Sequence, residues 1–183
     1  MDYPATFLLI AVCVVVFVLQ NRQNSYSYGE DMISKYGLIP MQVRRGQYYR
    51  ILTAAFLHAS VQHLLMNMIA LYNLGSFLEP RMGSLRFLLL LFVAILGSGA
   101  LITLHEKKDS YTVGLSGGIF GLLGAYIVLL YARGYFAYDS VRYSILRTLV
   151  INLIISLMPH VSLLGHTGGF LSGILMGILY YLI

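Results

Sequence analysis

Apolar and polar positions alternate along this chain in blocks, not in the short periods of a soluble fold. Residues 5–19 are the first apolar block. It falls short of the ~20 residues that a membrane span needs, so the helix is expected to extend through Pro4 at one end and Gln20 and Asn21 at the other. It lacks a basic leader and a small-residue cleavage pattern and reads as a retained helix, not a signal peptide. A polar, tyrosine-rich stretch follows over 21–49 and contains Gly29, Gly37, Pro40 and Gly46. Its tyrosines suit a segment lying at the headgroup level.

Residues 51–78 hold no Asp, Glu, Lys or Arg and are more than one span requires. Ser60 is a suitable N-cap. A second long helix is therefore expected to start there, leaving 51–59 in the preceding loop. Residues 79–86 read as a tight polar turn, 87–104 as the third span and 105–110 as a polar loop. The fourth span is expected over 115–132 and a polar connection over 133–147, in which Val141 and Ile145 already fit a helix. From 148 to 183 there is again no Asp, Glu, Lys or Arg. Pro159, with Ser156, His160 and Ser162 around it, divides this stretch into a fifth span at 148–158 and a sixth. The expectation is an all-α membrane protein: one domain over 1–183, six transmembrane helices and a long interfacial first loop.

Composition agrees. The chain is 58% apolar and 10% charged, against about 25% charged in soluble domains. The single cysteine, Cys13, excludes an intrachain disulfide and reads as a small lipid-facing or packing residue. The net charge of +5 suits anionic lipid headgroups. No Lys/Arg cluster interleaved with aromatics suggests a nucleic-acid surface.

Helices two, four and six start on the same membrane face, whichever way up the protein lies. His63 follows Ser60 in helix two, Ser116 opens helix four and His166 follows Ser162 in helix six. At 1.5 Å rise per residue, the three side chains share one shallow depth. Polar groups that can ionise inside a span are costly and are functional candidates by default. Helix six carries Gly165, Gly169, Gly173 and Gly177, and helix four carries Gly117, Gly121 and Gly124. Spacings of three and four share a helix face, and small residues permit close backbone approach. His166 is offset by about 60° from Gly169 and about 20° from Gly173. Helices docked by these seams would bring His166 to Ser116, the nucleophile–base contact of serine hydrolases. An incidental histidine on a glycine zipper is the plainer alternative.

No carboxylate is placed to complete a triad, so a dyad is expected. Its imidazole would be oriented by packing, with Phe120 one turn beyond Ser116 available to stack on it. His63 and Asn67 are four apart on one helix face. They can either join helices by hydrogen bonds or serve, with the backbone N–H of Ser116, as neutral donors to an oxyanion; Leu115 supplies the neighbouring N–H. There is no H-E-x-x-H and no intramembrane aspartate pair. His58, His63 and His166 lack a carboxylate or thiol at ligand spacing, and neither metal nor cofactor is expected. Gly114-x-Ser116-x-Gly118 matches the nucleophile elbow of α/β-hydrolases, but that motif requires a strand before the turn, and none is expected here.

Five segments in order resemble those of the rhomboid intramembrane serine proteases of the minimal six-helix type: Tyr49-Arg50-x-x-Thr53-x-x-Phe56-x-His58, His63-x-x-x-Asn67, Glu79-x-Arg81-x-Gly83-Ser84, Gly114-Leu115-Ser116-Gly117 and His166-x-x-Gly169-x-x-x-Gly173. The likeness runs from about Gly46 to Gly177. It implies Ser116 as nucleophile and His166 as general base, with His63, Asn67 and the Ser116 backbone as the oxyanion hole. Arg50 and His58 would hold the first loop, and Glu79 with Arg81 would brace the turn. Tyr49 stands where the family usually has tryptophan, and Phe120 where tyrosine is frequent. The implied activity is cleavage of single-span membrane proteins through an acyl-enzyme, at a locally unwound segment. Water would enter from the outer face and helix five, whose seam lacks glycine, would act as a lateral gate.

The family's topology implies a multi-pass protein of a cell membrane, of prokaryotic type, with the site outside and the termini in the cytoplasm. The charge count points the other way. Arg22, Lys35, Arg44, Arg45, Arg50, Lys107 and Lys108 would lie outside, and Arg81, Arg86, Arg133, Arg142 and Arg147 inside. Orientation is therefore taken from the resemblance, with first-loop cations expected to be packed into structure. A catalytically inactive member that binds membrane clients is the alternative function, and a channel or transporter a third. The last would need a polar pathway through both membrane halves. Neither the oligomeric state nor the natural substrate is legible.

Overall fold

The computed structural model describes residues 2–22, 28–106 and 111–181, with side chains from Met32 onward in the second of these segments. The expectations for Lys107, Lys108, Asp109, Ser110 and Ile183 lie outside the described residues. Nine α-helices occur within them: α1 Pro4–Asn21, α2 Tyr28–Tyr36, α3 Pro40–Arg44, α4 Tyr49–Thr53, α5 Val61–Met82, α6 Ser84–His105, α7 Ser116–Ala132, α8 Asp139–Ser156 and α9 Leu163–Tyr181. The long ones, α1 and α5 to α9, form an all-α membrane bundle. Three of them, α1, α6 and α9, are by themselves long and apolar enough to cross a membrane; α7 is a shorter apolar helix of 17 residues. Large apolar side chains stand outward on α1, α8 and α9, among them Val15, Ile154 and Leu175. Such a surface is a liability in water and an ordinary one in lipid.

The start signals work as local chemistry predicts. Ser60 Oγ accepts from the backbone N–H of His63 at 3.1 Å and caps α5. Ser162 Oγ does the same for Gly165 at 3.0 Å, just ahead of α9. Two boundaries differ from the sequence reading. Residues 79–86 are not a turn: α5 continues through Pro80 to Met82, and α6 resumes at Ser84. Proline in the last turn of a helix forfeits a single i→i−4 bond. The reversal is left to Gly83, whose φ of +81° suits glycine. The fifth long helix begins at Asp139, nine residues ahead of Thr148. Its polar residues are a solvated face: Asp139 complements the helix N-terminus and pairs with Arg142.

The core lies between α6, α7 and α9, with α5 and α1 packed outside it. Eleven of the 17 residues of α7 are buried, which makes it the central helix. A Cβ on Gly169 would fall on the carbonyl oxygen of Gly117, and one on Gly173 on that of Gly121. The α7–α9 backbones therefore touch across two glycines. A third helix joins the seam: a Cβ on Gly168 would come within 2.5 Å of Gly97 O in α6. Cys13 is fully buried and serves packing.

The first loop is structured around Arg50, which is 6% exposed. Its Nη1 donates to Ser34 O at 2.9 Å and Gly37 O at 2.8 Å, and its Nε to Gln47 Oε1 at 2.6 Å. Arg44 donates to Thr103 O and Glu106 O, both at 2.8 Å. An isolated bridge between Leu38 and Thr112 then ties this loop to the segment before α7.

Glu79 and Arg81 do not act as a pair. The Glu79 carboxylate is 1% exposed and sits at the N-terminus of α1. It accepts from Ala5 N (2.8 Å), Thr6 N (2.8 Å), Thr6 Oγ1 (2.7 Å) and Ser84 Oγ (2.7 Å). Anions are favoured at that end of a helix. Arg81 instead donates to Phe77 O and lies over the Phe77 ring at 3.7 Å.

Two outcomes follow from this packing. Gly173→Leu forces the α7 and α9 backbones apart and should cost about 3 kcal/mol or more, read as a lower thermal midpoint in detergent micelles. Glu79→Ala strands two backbone donors of α1 and removes charge-assisted bonds, for a loss of about 3 kcal/mol. That loss should appear in the same melt, whereas Arg81→Ala should change the midpoint little.

Candidate active site

Three helix starts build the site. His63 is the third residue of α5, Ser116 the first of α7 and His166 the fourth of α9. The glycine seam sets the distance between the last two. His166 Nε2 lies 3.0 Å from Ser116 Oγ, across 50 residues of sequence. The His166 ring is 6% exposed, and Phe120 stacks on it at 4.0 Å between centroids and 13° between planes. Ser116 is half-buried. Its backbone N–H is among the first four of α7, which have no acceptor within their own helix.

The turn before Ser116 is held in place. Gly114 has a φ of +112°, and its N–H donates to Ala54 O at 2.9 Å. A Cβ there would lie 2.6 Å from Cε1 and 2.7 Å from Nε2 of His63, and 3.6 Å from Asn67 Nδ2. The His63 ring and the Asn67 amide thus rest against the Gly114 backbone, two residues from the nucleophile candidate. Asn67 is 5% exposed and donates to His63 O at 3.0 Å. Leu115, fully buried, is the N-cap position of α7.

His58 is fully buried, its ring edge-on to that of His63 at 5.2 Å. Its backbone is gripped by Gln20 of α1: Nε2 donates to His58 O at 2.9 Å, and Oε1 accepts from His58 N at 3.4 Å. Gln20, 3% exposed, was read from the sequence only as an extension of the first helix. A buried amide at the end of an apolar block was the available signal, since such a group must find partners.

Ser156, too, was read only as a divider between spans. It is 3% exposed, and its Oγ lies 2.6 Å from His166 Nδ1. Asn152 and Ser156, four apart on an otherwise apolar stretch, were the signal for it. No carboxylate among the described residues bonds to His166, and no group of three or more His, Cys, Asp or Glu there could hold a metal.

A nucleophile candidate bonded to a base candidate, with neutral donors at the adjoining turn, is the arrangement of acyl-transfer catalysis. A family model describing a Rhomboid domain matches residues 45–183. RHOMBOID-like protein 1 of Arabidopsis thaliana is 35% identical over 146 residues, 78% of this chain and 37% of the plant protein. Rhomboid protease GluP of Bacillus subtilis (strain 168) is 29% identical over 170 residues, 92% of this chain and 33% of GluP. YdcA of the same organism is 29% identical over 181 residues, 97% of this chain and 88% of YdcA. The chain thus spans well under half the length of GluP and of the plant relative. From the matched domain and these relatives, the chain belongs to the rhomboid family and is a multi-pass helical membrane protein.

Proposed function

We propose that this chain is an intramembrane serine endopeptidase working through a Ser116–His166 dyad. The observation that carries the reading is the 3.0 Å contact between His166 Nε2 and Ser116 Oγ, made by two glycine-packed helices at one shallow depth. In this reading Ser116 Oγ attacks the scissile carbonyl while His166 Nε2 takes its proton. The oxyanion is held by the backbone N–H groups of Leu115 and Ser116, the Asn67 amide and the His63 ring. All are neutral donors, which suits a site where a lone charge is expensive. His166 returns the proton to the leaving amine, and the acyl-enzyme on Ser116 is then opened by water with His166 again as base. Phe120 holds the plane of the ring. Arg50, His58 and Gln20 keep the first loop against α5 and α7, so that the oxyanion donors stay in register. Gly169 and Gly173 set the helix spacing on which the Ser–His distance depends.

The substrates are single-span membrane proteins. A helix hides its carbonyls, so cleavage requires a segment that unwinds. All six long helices cross the bilayer in this reading. α8 is the lateral gate, a role supported by its packing: only Ile145 and Ser156 of its 18 residues are buried. The site faces outward, with both termini in the cytoplasm. The excess of positive charge on the outer side is reduced in effect because Arg44 and Arg50 are bound to backbone carbonyls.

Purified protein should cleave a labelled single-span substrate in proteoliposomes. Ser116→Ala and His166→Ala should each lower kcat by at least about 10⁴-fold. Asn67→Ala should lower it by about 10²-fold, the usual result of deleting one oxyanion donor. Equal cleavage by wild type and Ser116→Ala would end the protease reading in favour of a client-binding member. A reporter joined to the C-terminus should stay on the cytoplasmic side, and an external reporter would reverse the topology.

A further inference from the structure

The imidazole of His166 has two working edges, and stacking on Phe120 does not choose between them. A ring held only by its face can rotate within its plane and present either nitrogen to Ser116. What selects the edge is Ser156. Its Oγ lies 2.6 Å from Asn152 O, one turn earlier in α8, and 2.6 Å from His166 Nδ1. A hydroxyl has one proton. Given to the Asn152 carbonyl, as serines in helices commonly do, it leaves only lone pairs facing Nδ1. Nδ1 must then carry the ring proton, and Nε2 the lone pair that faces Ser116.

From this geometry we infer that Ser156 is the positioning residue for His166: its hydroxyl, donating to Asn152 O and accepting from Nδ1–H, fixes the tautomer that leaves Nε2 able to act as base. The inference rests on the reading of Ser116 and His166 as nucleophile and base. Ser156 takes the place an aspartate holds in a triad, without burying a charge in lipid. It is also the last residue of α8, so the negative end of that helix dipole faces the ring as positive charge develops on it.

The position is not explained by packing alone. An open cleft of about 240 Å³, lined by Asn152, Ser156, His166 and Thr167 and by apolar residues that include Phe120 and Leu153, lies between facing parts of α8 and α9. Among the described residues, the Ser156–His166 contact is the one hydrogen bond between the two helices. The base is therefore tied directly to the least embedded long helix of the bundle.

The test uses the full chain in micelles with 15N-labelled histidine, together with cleavage of a single-span substrate. The protein has five histidines, and the His166 signals are assigned by their loss in His166→Ala. Wild type should show Nδ1 protonated and Nε2 bare. Ser156→Ala should shift the ring towards the other tautomer and lower kcat by about 10- to 100-fold, the usual effect of stranding a buried donor, with KM changed less than about twofold. Ser156→Thr and Ser156→Val have the same shape and differ in the hydroxyl. Thr should recover most of the activity and Val should not. Equal cleavage by Thr and Val, a wild-type ring protonated at Nε2, or a loss expressed in KM with the tautomer unchanged would each overturn the inference. A wild type that cleaves no faster than Ser116→Ala would overturn the protease reading instead, and the tautomer of the wild-type ring and of Ser156→Ala would then decide the positioning role by itself.

Discussion

Backbone contact between α7 and α9 is the constraint from which the site follows. Where Gly169 meets Gly117 and Gly173 meets Gly121, not even a methyl group fits between the chains. Lipid offers no hydrophobic drive for helix association, so close van der Waals contact has to supply it. The same contact is a ruler. It fixes the axial register and the separation of two helices whose first turns carry Ser116 and His166. A hydrogen bond of 3.0 Å between side chains 50 residues apart tolerates little slack, and a seam without side chains leaves little.

The polar groups are divided between two levels of the bundle, and each level solves a different problem. The groups gathered directly around Ser116 include no carboxylate, lysine or arginine among the described residues: they are two hydroxyls, imidazoles, an amide and backbone N–H groups. Leaving fixed charges out reduces the desolvation cost of placing polar groups within a membrane helix bundle. At the far end of α5 a carboxylate is tolerated because four donors converge on it and a helix dipole points at it. Glu79 thereby docks α1 onto α5, and α1 in turn delivers Gln20 to the backbone of His58. Polar contacts at both ends of α1 thus hold the first loop in place beside the site.

α8 stands apart from this economy. Its second half turns large apolar side chains outward and few of its residues are buried, yet its last residue touches the imidazole. A helix that is loosely packed along its length but hydrogen-bonded at its end can shift without disturbing the glycine seam.

Much of this was written in the residues. Apolar blocks located the long helices, because lipid demands uninterrupted apolar length. Ser60 and Ser162 marked two starts, because a hydroxyl beside free N–H groups is a local matter. The glycine spacing and the shared depth of His63, Ser116 and His166 were also legible, since helical rise and period convert directly to position. What the sequence left open depends on partners far away in the chain. Glu79 next to Arg81 looks like a pair at a turn, and only the approach of α1 reveals that the carboxylate caps a helix 73 residues earlier. Pro80 looks like a stop, and only the packing around it lets α5 run on. Ser156 looked like a break between spans. Its bond to His166 depends on the crossing of α8 and α9, a relation between two helices that neither one's periodicity encodes.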